Sequence, residues 1–450
     1  MSAPIPVPPR PPASDVSPWV GFVGIATLFG WIAFARLWPE FAAAFDLPGP
    51  RGVLSGPNSA LVAMILTGLA MAAWSLLIDK VHRRPSTGID WGCSRPLSAV
   101  VEVSVTKLVG LWITWLVIAA FYCVGRWYWD GQYLFAMRVL ALAAAPLVVL
   151  SVPYVLWLDR HLVEPRDHAW HFGAMLIGRD PWEADEVKRH WRAWIIKGFF
   201  SAFMISILPP GFAAVVEADF GAIAGDPARL GGTLFELLFV IDVQIGTVGY
   251  LLTLRPLDAH IRSGNPFLAG WVAALLCYPP FVYGFMGQNG IIQYEYQTAG
   301  WGYWLAGHEA LLWAWAAGLV TLTALYAWAT AAFGIRFSNL TYRGVLTNGP
   351  YRWTRHPAYL SKNLFWWLSA MPFLVTTGSL LEAVRNTVFL GVISGIYFWR
   401  AKTEEAHLLA EDAKYRAYHA WMGDHGAITG PLTKALAWAR PRRLQVQPAE

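Results

Sequence analysis

Long apolar runs separated by short polar intervals fill most of the chain. A hydrocarbon core of about 30 Å needs about 20 apolar residues to be crossed as a helix. Ten runs qualify: residues 19–37, 59–78, 108–125, 134–157, 194–215, 232–253, 267–285, 309–331, 364–380 and 384–400. The pattern predicts an all-α, polytopic transmembrane bundle of about ten spans. The ninth and tenth runs are the most tightly joined, through SLLEAV. The longest polar interval, 158–193, contains RDPWEADEVKRHWRAW, which reads as an amphipathic helix lying in the interface.

Composition agrees with the pattern. Of 450 residues, 56% are hydrophobic and only 14% charged, with 26 Trp. Mean hydropathy is +0.41. A soluble chain carries about 25% charged residues, so a water-soluble globule is excluded. The net charge of +5 does not signal nucleic acid, because the basic residues are dispersed. They follow topology instead. With both termini cytoplasmic, 28 of the 33 Lys and Arg outside the spans fall on the cytoplasmic side, and Arg138 lies within a span. The expected location is a membrane, the bacterial inner membrane, with the charged segments facing the cytoplasm.

The proline-rich start, MSAPIPVPPRPPASD, lacks the layout of a signal peptide. The expected organisation is a flexible tail over 1–18 and about seven spans over 19–300. A three-span core with a cytoplasmic C-terminal helix follows over 301–430, then a basic tail over 431–450. Cys93, Cys123 and Cys277 are too scattered for a disulfide framework or a metal knuckle.

Two segments concentrate chemistry. GPYRWTRHPAYLSKN, residues 349–363, sets Arg352, Arg355, His356, Tyr359 and Lys362 in a proline-broken stretch. FWRAKTEEAHLLAEDAKYRAYHAW, residues 398–421, continues the last span into the cytoplasm. There Arg400 and Glu404 share a helix face, Glu405 points elsewhere, and Tyr415 and Tyr418 form a second same-face pair. The ninth and tenth spans are neighbours, so the two clusters of opposite charge should meet. Arg offers a fork to a carboxylate, Glu accepts from an ammonium or ribose hydroxyls, and aromatic faces suit a sulfonium or a purine.

These segments resemble the isoprenylcysteine carboxyl methyltransferase and phospholipid methyltransferase superfamily, integral membrane enzymes that use S-adenosyl-L-methionine. The resemblance covers about 310–420. It rests on GPYR followed by RHP-A-Y, a helical hairpin, then R-A-K-T-E-E and a late Y-R-A-Y. It implies cofactor binding by Arg352, His356, Pro357, Tyr359, Arg400, Glu404, Glu405 and Tyr415. It also implies catalytic roles for Arg355, Glu404 and Glu405, and a lipid or prenylated acceptor entering from the bilayer. The chain departs at Ser361, where the family often has Gly, and at EDAKY, where a Phe-Gly usually stands.

Methyl transfer from a sulfonium needs alignment and exclusion of water. A carboxylate acceptor needs no base; for an amine, Glu404, Glu405 or His356 are at hand. Lys362 reads as a headgroup anchor. Two other readings stay open: a sterol- or isoprenoid-type NADPH-dependent reductase, against which Ala358 and the Glu404–Glu405 pair speak, and a non-enzymatic transporter or scaffold with a decayed motif. No metal is expected. His161, His168, His171 and His190, with Glu164 and Asp167, match no zinc or di-iron pattern. Glu236 and Asp242, inside the sixth span, either line an acceptor tunnel, pair with Arg138, or form a buried polar pair.

Overall fold

A computed structural model describes residues 10–286, 290–431, 433 and 434. The helices are α1 (Pro18–Ala44), α2 (Pro57–Leu77), α3 (Leu97–Val124), α4 (Tyr133–His161), α5 (His168–Leu176), α6 (Ala184–Glu217), α7 (Phe220–Ile223), α8 (Pro227–Leu251), α9 (Leu268–Leu275), α10 (Phe281–Phe285), α11 (Trp301–Trp304), α12 (Glu309–Phe333), α13 (Pro357–Ala370), α14 (Leu380–Glu411) and α15 (Ala413–His425). Two short strands, β1 (Ser263–Gly264) and β2 (Thr341–Tyr342), pair antiparallel with Ser263 opposite Tyr342. The chain is an all-α polytopic membrane bundle.

Among the described residues, eight helices are long and apolar enough to cross a membrane: α1, α2, α3, α4, α6, α8, α12 and α14. Two of the ten expected spans are therefore not single helices. Residues 267–285 break into α9 and α10 around Pro279 and Pro280, which bring no backbone N–H to a helix. The segment 364–380 ends early. Pro372 disfavours helical geometry at the residue before it, and Met371 turns to φ 45°. The 14-residue α13 is then about 21 Å long, short of the hydrocarbon thickness.

The alternation of sides survives these breaks. β1 follows α8 and β2 follows α12, so their pairing puts the C-terminal ends of α8 and α12 on one face. Residues 252–308 must cross between them in pieces. α13 leaves that face and runs toward the opposite one; Trp315, nearly two turns into α12, donates to the Leu368 carbonyl at 2.9 Å. α14 returns to the charged face. Small residues permit the close packing that holds this arrangement, as is usual between helices in lipid. A Cβ on Gly21 would lie 2.0 Å from the Ala331 carbonyl oxygen of α12. One on Gly249 of α8 would lie 2.3 Å from that of Phe337.

Two more expectations are corrected. Residues 184–193 are no separate interfacial helix; they are the first turns of the 34-residue α6. The short α5 is not free either: Trp170, His171 and Phe172 are buried, and its Gly173 meets Gly110 of α3. Of the expected N-terminal tail, residues 12–16 are tied down. Asp15 exchanges hydrogen bonds with Val345, donating its N–H to the carbonyl at 2.9 Å and accepting the Val345 N–H at 2.7 Å. It also pairs with Lys414 at 2.5 Å, and Thr347 donates to the Pro12 carbonyl at 2.8 Å. Residues 1–9, and all of 431–450 after Lys434, lie outside the described residues.

Candidate functional site

The site sits where α12, α13 and α14 meet the connection 334–356 on the charged face. That connection has almost no regular structure, so side chains hold it. Arg343 is buried and has no carboxylate partner among the described residues. Its guanidinium donates to the carbonyls of Ala259, Gly249, Phe337 and Ile335, stitching the end of α8 to the connection. Burial and the neighbouring Arg336 push it down to about 9, so it stays charged at neutral pH. Arg336 pairs with Asp258, a buried acid that also faces Arg262 at 3.3 Å and Arg84 at 3.8 Å. Irregular backbone near a bilayer is tolerated when it lines a cavity, and this one does.

The cavity encloses about 1340 Å³, the open space at its mouth included. At its charged end Arg400, only 2% exposed, donates from Nε to Glu404 at 3.2 Å and from a terminal nitrogen to Asn339 at 2.6 Å. Tyr359 donates its hydroxyl to the same Glu404 oxygen at 2.5 Å. The other oxygen, Oε2, has no partner among the described residues. The Arg400 guanidinium also lies over the rings of Tyr278 and Tyr359, 5.3 and 5.1 Å from their centroids. Tyr359 stacks on His356 with planes 5° apart.

Glu405 faces a different set of groups. Its carboxylate is buried, with Arg355 Nε at 2.9 Å and His356 Nε2 at 3.1 Å on one oxygen. Lys402 lies at 2.7 Å and His419 at 3.7 Å from the other. This acid has no capacity left for a ligand; it is the hub that ties the start of α13 to α14 and α15. Arg355 gives it Nε and is also one of the residues that line the cavity. Tyr415 and Tyr418 close the floor, Tyr418 donating to the Tyr351 carbonyl at 2.8 Å. Burial, and the Glu405 carboxylate after it, push the Tyr415 phenol well above its ordinary value.

The sequence-derived candidates thus divide. Arg355, His356, Tyr359, Arg400, Glu404, Tyr415 and Tyr418 line one cavity. Glu405 supports it from behind, and Pro357 starts α13 as its first residue. Arg352 does not join them: it is exposed at a separate surface depression beside Pro11 and Pro12. Arg352 closes the 3-10 turn Gly349–Arg352, whereas Arg355 lies beyond that turn, next to the start of α13.

Lys362 is corrected as well. It is no headgroup anchor but lines the cavity about one turn deeper than Tyr359, over the rings of Trp366, Tyr397 and Tyr326. The i,i+3 spacing from Tyr359 was the available signal. Asn339 and Tyr278 carried little: one lies in an irregular stretch, the other precedes the helix-breaking Pro279. Asp242 accepts from the half-buried Tyr326 at 2.8 Å and from the buried Thr330. Arg138 is exposed on α4 and pairs with neither Asp242 nor Glu236 among the described residues. The four loop histidines do not converge. His168 and His190 meet at 3.1 Å, while His161 bonds the Trp157 carbonyl and His171 accepts the Glu183 N–H.

Residues 307–421 match the family described as a protein of unknown function, DUF1295. The match covers roughly a quarter of the chain. It holds α12, the connection, α13, α14 and most of α15, which include most of the cavity wall. No curated protein and no solved structure matches the chain.

Proposed function

We propose that this protein is a membrane-embedded methyltransferase that uses S-adenosyl-L-methionine and acts on a lipid or prenylated acceptor. The site is proposed to face the cytoplasm, in a bacterial inner membrane. The observation that carries the reading is the charged end of the cavity. Glu404 keeps one free carboxylate oxygen there, beside the guanidinium groups of Arg400 and Arg355. A free acid next to paired bases fits the ammonium and carboxylate of a zwitterionic amino-acid group.

When bound, S-adenosylmethionine supplies a methyl group made electrophilic by its sulfonium. Glu404 receives the ammonium, and Arg355 the carboxylate, with two donors in a plane. Tyr415, Tyr418 and Leu408 keep water from the reacting end. A hydrophobic acceptor approaches from the bilayer between helices and brings only its polar end to the cavity.

A second reading has one observation of its own. Arg336, Arg343, Arg355, Lys362 and Arg400 line the cavity against Glu404 as its only carboxylate among the described residues. Such an excess of positive charge suits a phosphate-bearing nicotinamide cofactor and hence a reductase. Calorimetric titration of the protein in nanodiscs separates the readings. S-adenosylmethionine binding in the micromolar range, an order-of-magnitude expectation for a partly enclosed charged site, supports methyl transfer. NADPH binding with no heat from S-adenosylmethionine gives the reductase. Binding of neither leaves a transporter or scaffold.

A further inference from the structure

The deep end of the cavity holds a cation with no salt-bridge partner among the described residues. Lys362 Nζ lies 5.1 Å from the ring centre of Trp366, 5.6 Å from Tyr397 and 5.7 Å from Tyr326. The three rings come from three elements, α13, α14 and α12. An ammonium carries three N–H donors. Among the described residues none of them donates to an acceptor, and no carboxylate lies within 4.0 Å. The Asp242 carboxylate acts on the lysine through space and is already engaged by the hydroxyls of Tyr326 and Thr330. It also fixes the Tyr326 ring that forms one wall of the cage. Cation–π contacts hold an ammonium in place but satisfy none of its donors, and Lys362 is half-buried in the cavity wall, within reach of a ligand there.

We propose that Lys362 selects the acceptor: the cage takes a negatively charged oxygen at the end of an apolar molecule and rejects an ammonium there. The aromatic walls leave the donors as the ammonium's only unsatisfied capacity. Glu404, held through Oε1 by Arg400 and Tyr359, forms no salt bridge with the lysine among the described residues. An amphiphile entering from the bilayer side places its head against Lys362 and its tail along Tyr326, Phe333 and Tyr397. A cationic head of the same length meets like charge, which is how a site discriminates by repulsion as well as attraction. That this amphiphile is a methyl acceptor rests on the methyltransferase reading; the anion preference of the cage does not.

The test is direct binding without any cofactor. The full chain in phosphatidylcholine nanodiscs is incubated with tritiated palmitate, and displacement by unlabelled palmitate is compared with displacement by hexadecyltrimethylammonium. Palmitate is expected to displace at a concentration at least tenfold lower. Lys362→Arg should keep the preference, and Lys362→Met should abolish it while S-adenosylmethionine affinity changes less than twofold. Equal displacement by the two amphiphiles in the wild-type protein overturns the proposal, whether or not the Met variant folds. So does a Lys362→Met variant that folds and retains the preference. Palmitate preference in a protein that gives no heat with S-adenosylmethionine keeps the anion site and removes the methyltransferase reading instead.

Discussion

Adjacent carboxylates on α14 do different things because successive helical residues point about 100° apart. Glu404 looks into the cavity and keeps an oxygen free. Glu405 is spent on Arg355, His356 and Lys402. The two should therefore fail differently. Glu404→Gln is expected to lower S-adenosylmethionine affinity at least tenfold, about 1.4 kcal/mol. Because it leaves the buried Arg400 without its carboxylate, it should lower the thermal unfolding midpoint too, though by less than Glu405→Gln, which strands more cations. Glu405→Gln strands several cations beside a neutral amide, and should cost stability first. About 3 kcal/mol is expected, at the low end for breaking a buried pair because Lys402 and His419 are partly exposed. Thermal unfolding of the purified protein and calorimetry on the same sample distinguish the two. Arg355→Lys keeps a charge near Glu405 but loses the planar fork. Its expected signature is a tenfold loss of cofactor affinity with normal expression; wild-type affinity would show that Arg355 only braces Glu405.

At the scale of elements, the connection 334–356 is held from two sides. One is Gly249, whose missing side chain lets α8 touch the Phe337 carbonyl. Gly249→Val would push that segment outward and carry Asn339 away from Arg400. The expected result is lost cofactor binding in a protein that still inserts, read by calorimetry beside a protease-protection assay. The other is the N-terminal segment. Burial raises the Asp15 carboxyl, but the bond from Lys414 and the Val345 N–H outweigh it, and the group titrates below its ordinary 3.8. A carboxyl depressed in the folded state stabilises above its unfolded pKa, and that contribution is lost as pH falls below about 4. Asp15→Asn should therefore lower the unfolding midpoint at pH 7, by about 1–2 kcal/mol for a charge-assisted pair, and the gap from wild type should close toward pH 3. A constant gap across that range would mean the segment is held by its backbone contacts alone.

For the whole molecule, the site face is set by the chain's path, and its orientation can be measured. Cys93 is exposed in the connection between α2 and α3, on the side of the cavity. Asp46, between α1 and α2, is exposed on the opposite side. In intact cells a membrane-impermeant maleimide should label an Asp46→Cys variant lacking the native cysteines, and leave a variant retaining only Cys93 unlabelled until the cells are opened. The reverse pattern would put the cavity outside and remove the cytoplasmic cofactor from reach.

Apolar run lengths were enough to read the class of the protein, because in lipid every backbone polar group must be satisfied within the segment and helices do so locally. The i,i+4 spacing likewise placed Arg400 over Glu404, and the short hairpin brought Arg355 and His356 to α14. Continuity of a span is not local in that sense. Pro279, Pro280 and Pro372 interrupt apolar runs that hydropathy counts as whole, and neighbouring helices supply the packing that a broken segment needs. Nor can spacing say whether a charge faces water or a cavity. Lys362 and Arg352 both stand in the same basic stretch, ten residues apart; only the seating of α13 between α12 and α14 sends one into an aromatic cage and leaves the other outside. Glu404 and Glu405 are the same chemistry one position apart, and their separate tasks exist only because α13, α14 and α15 meet around one of them.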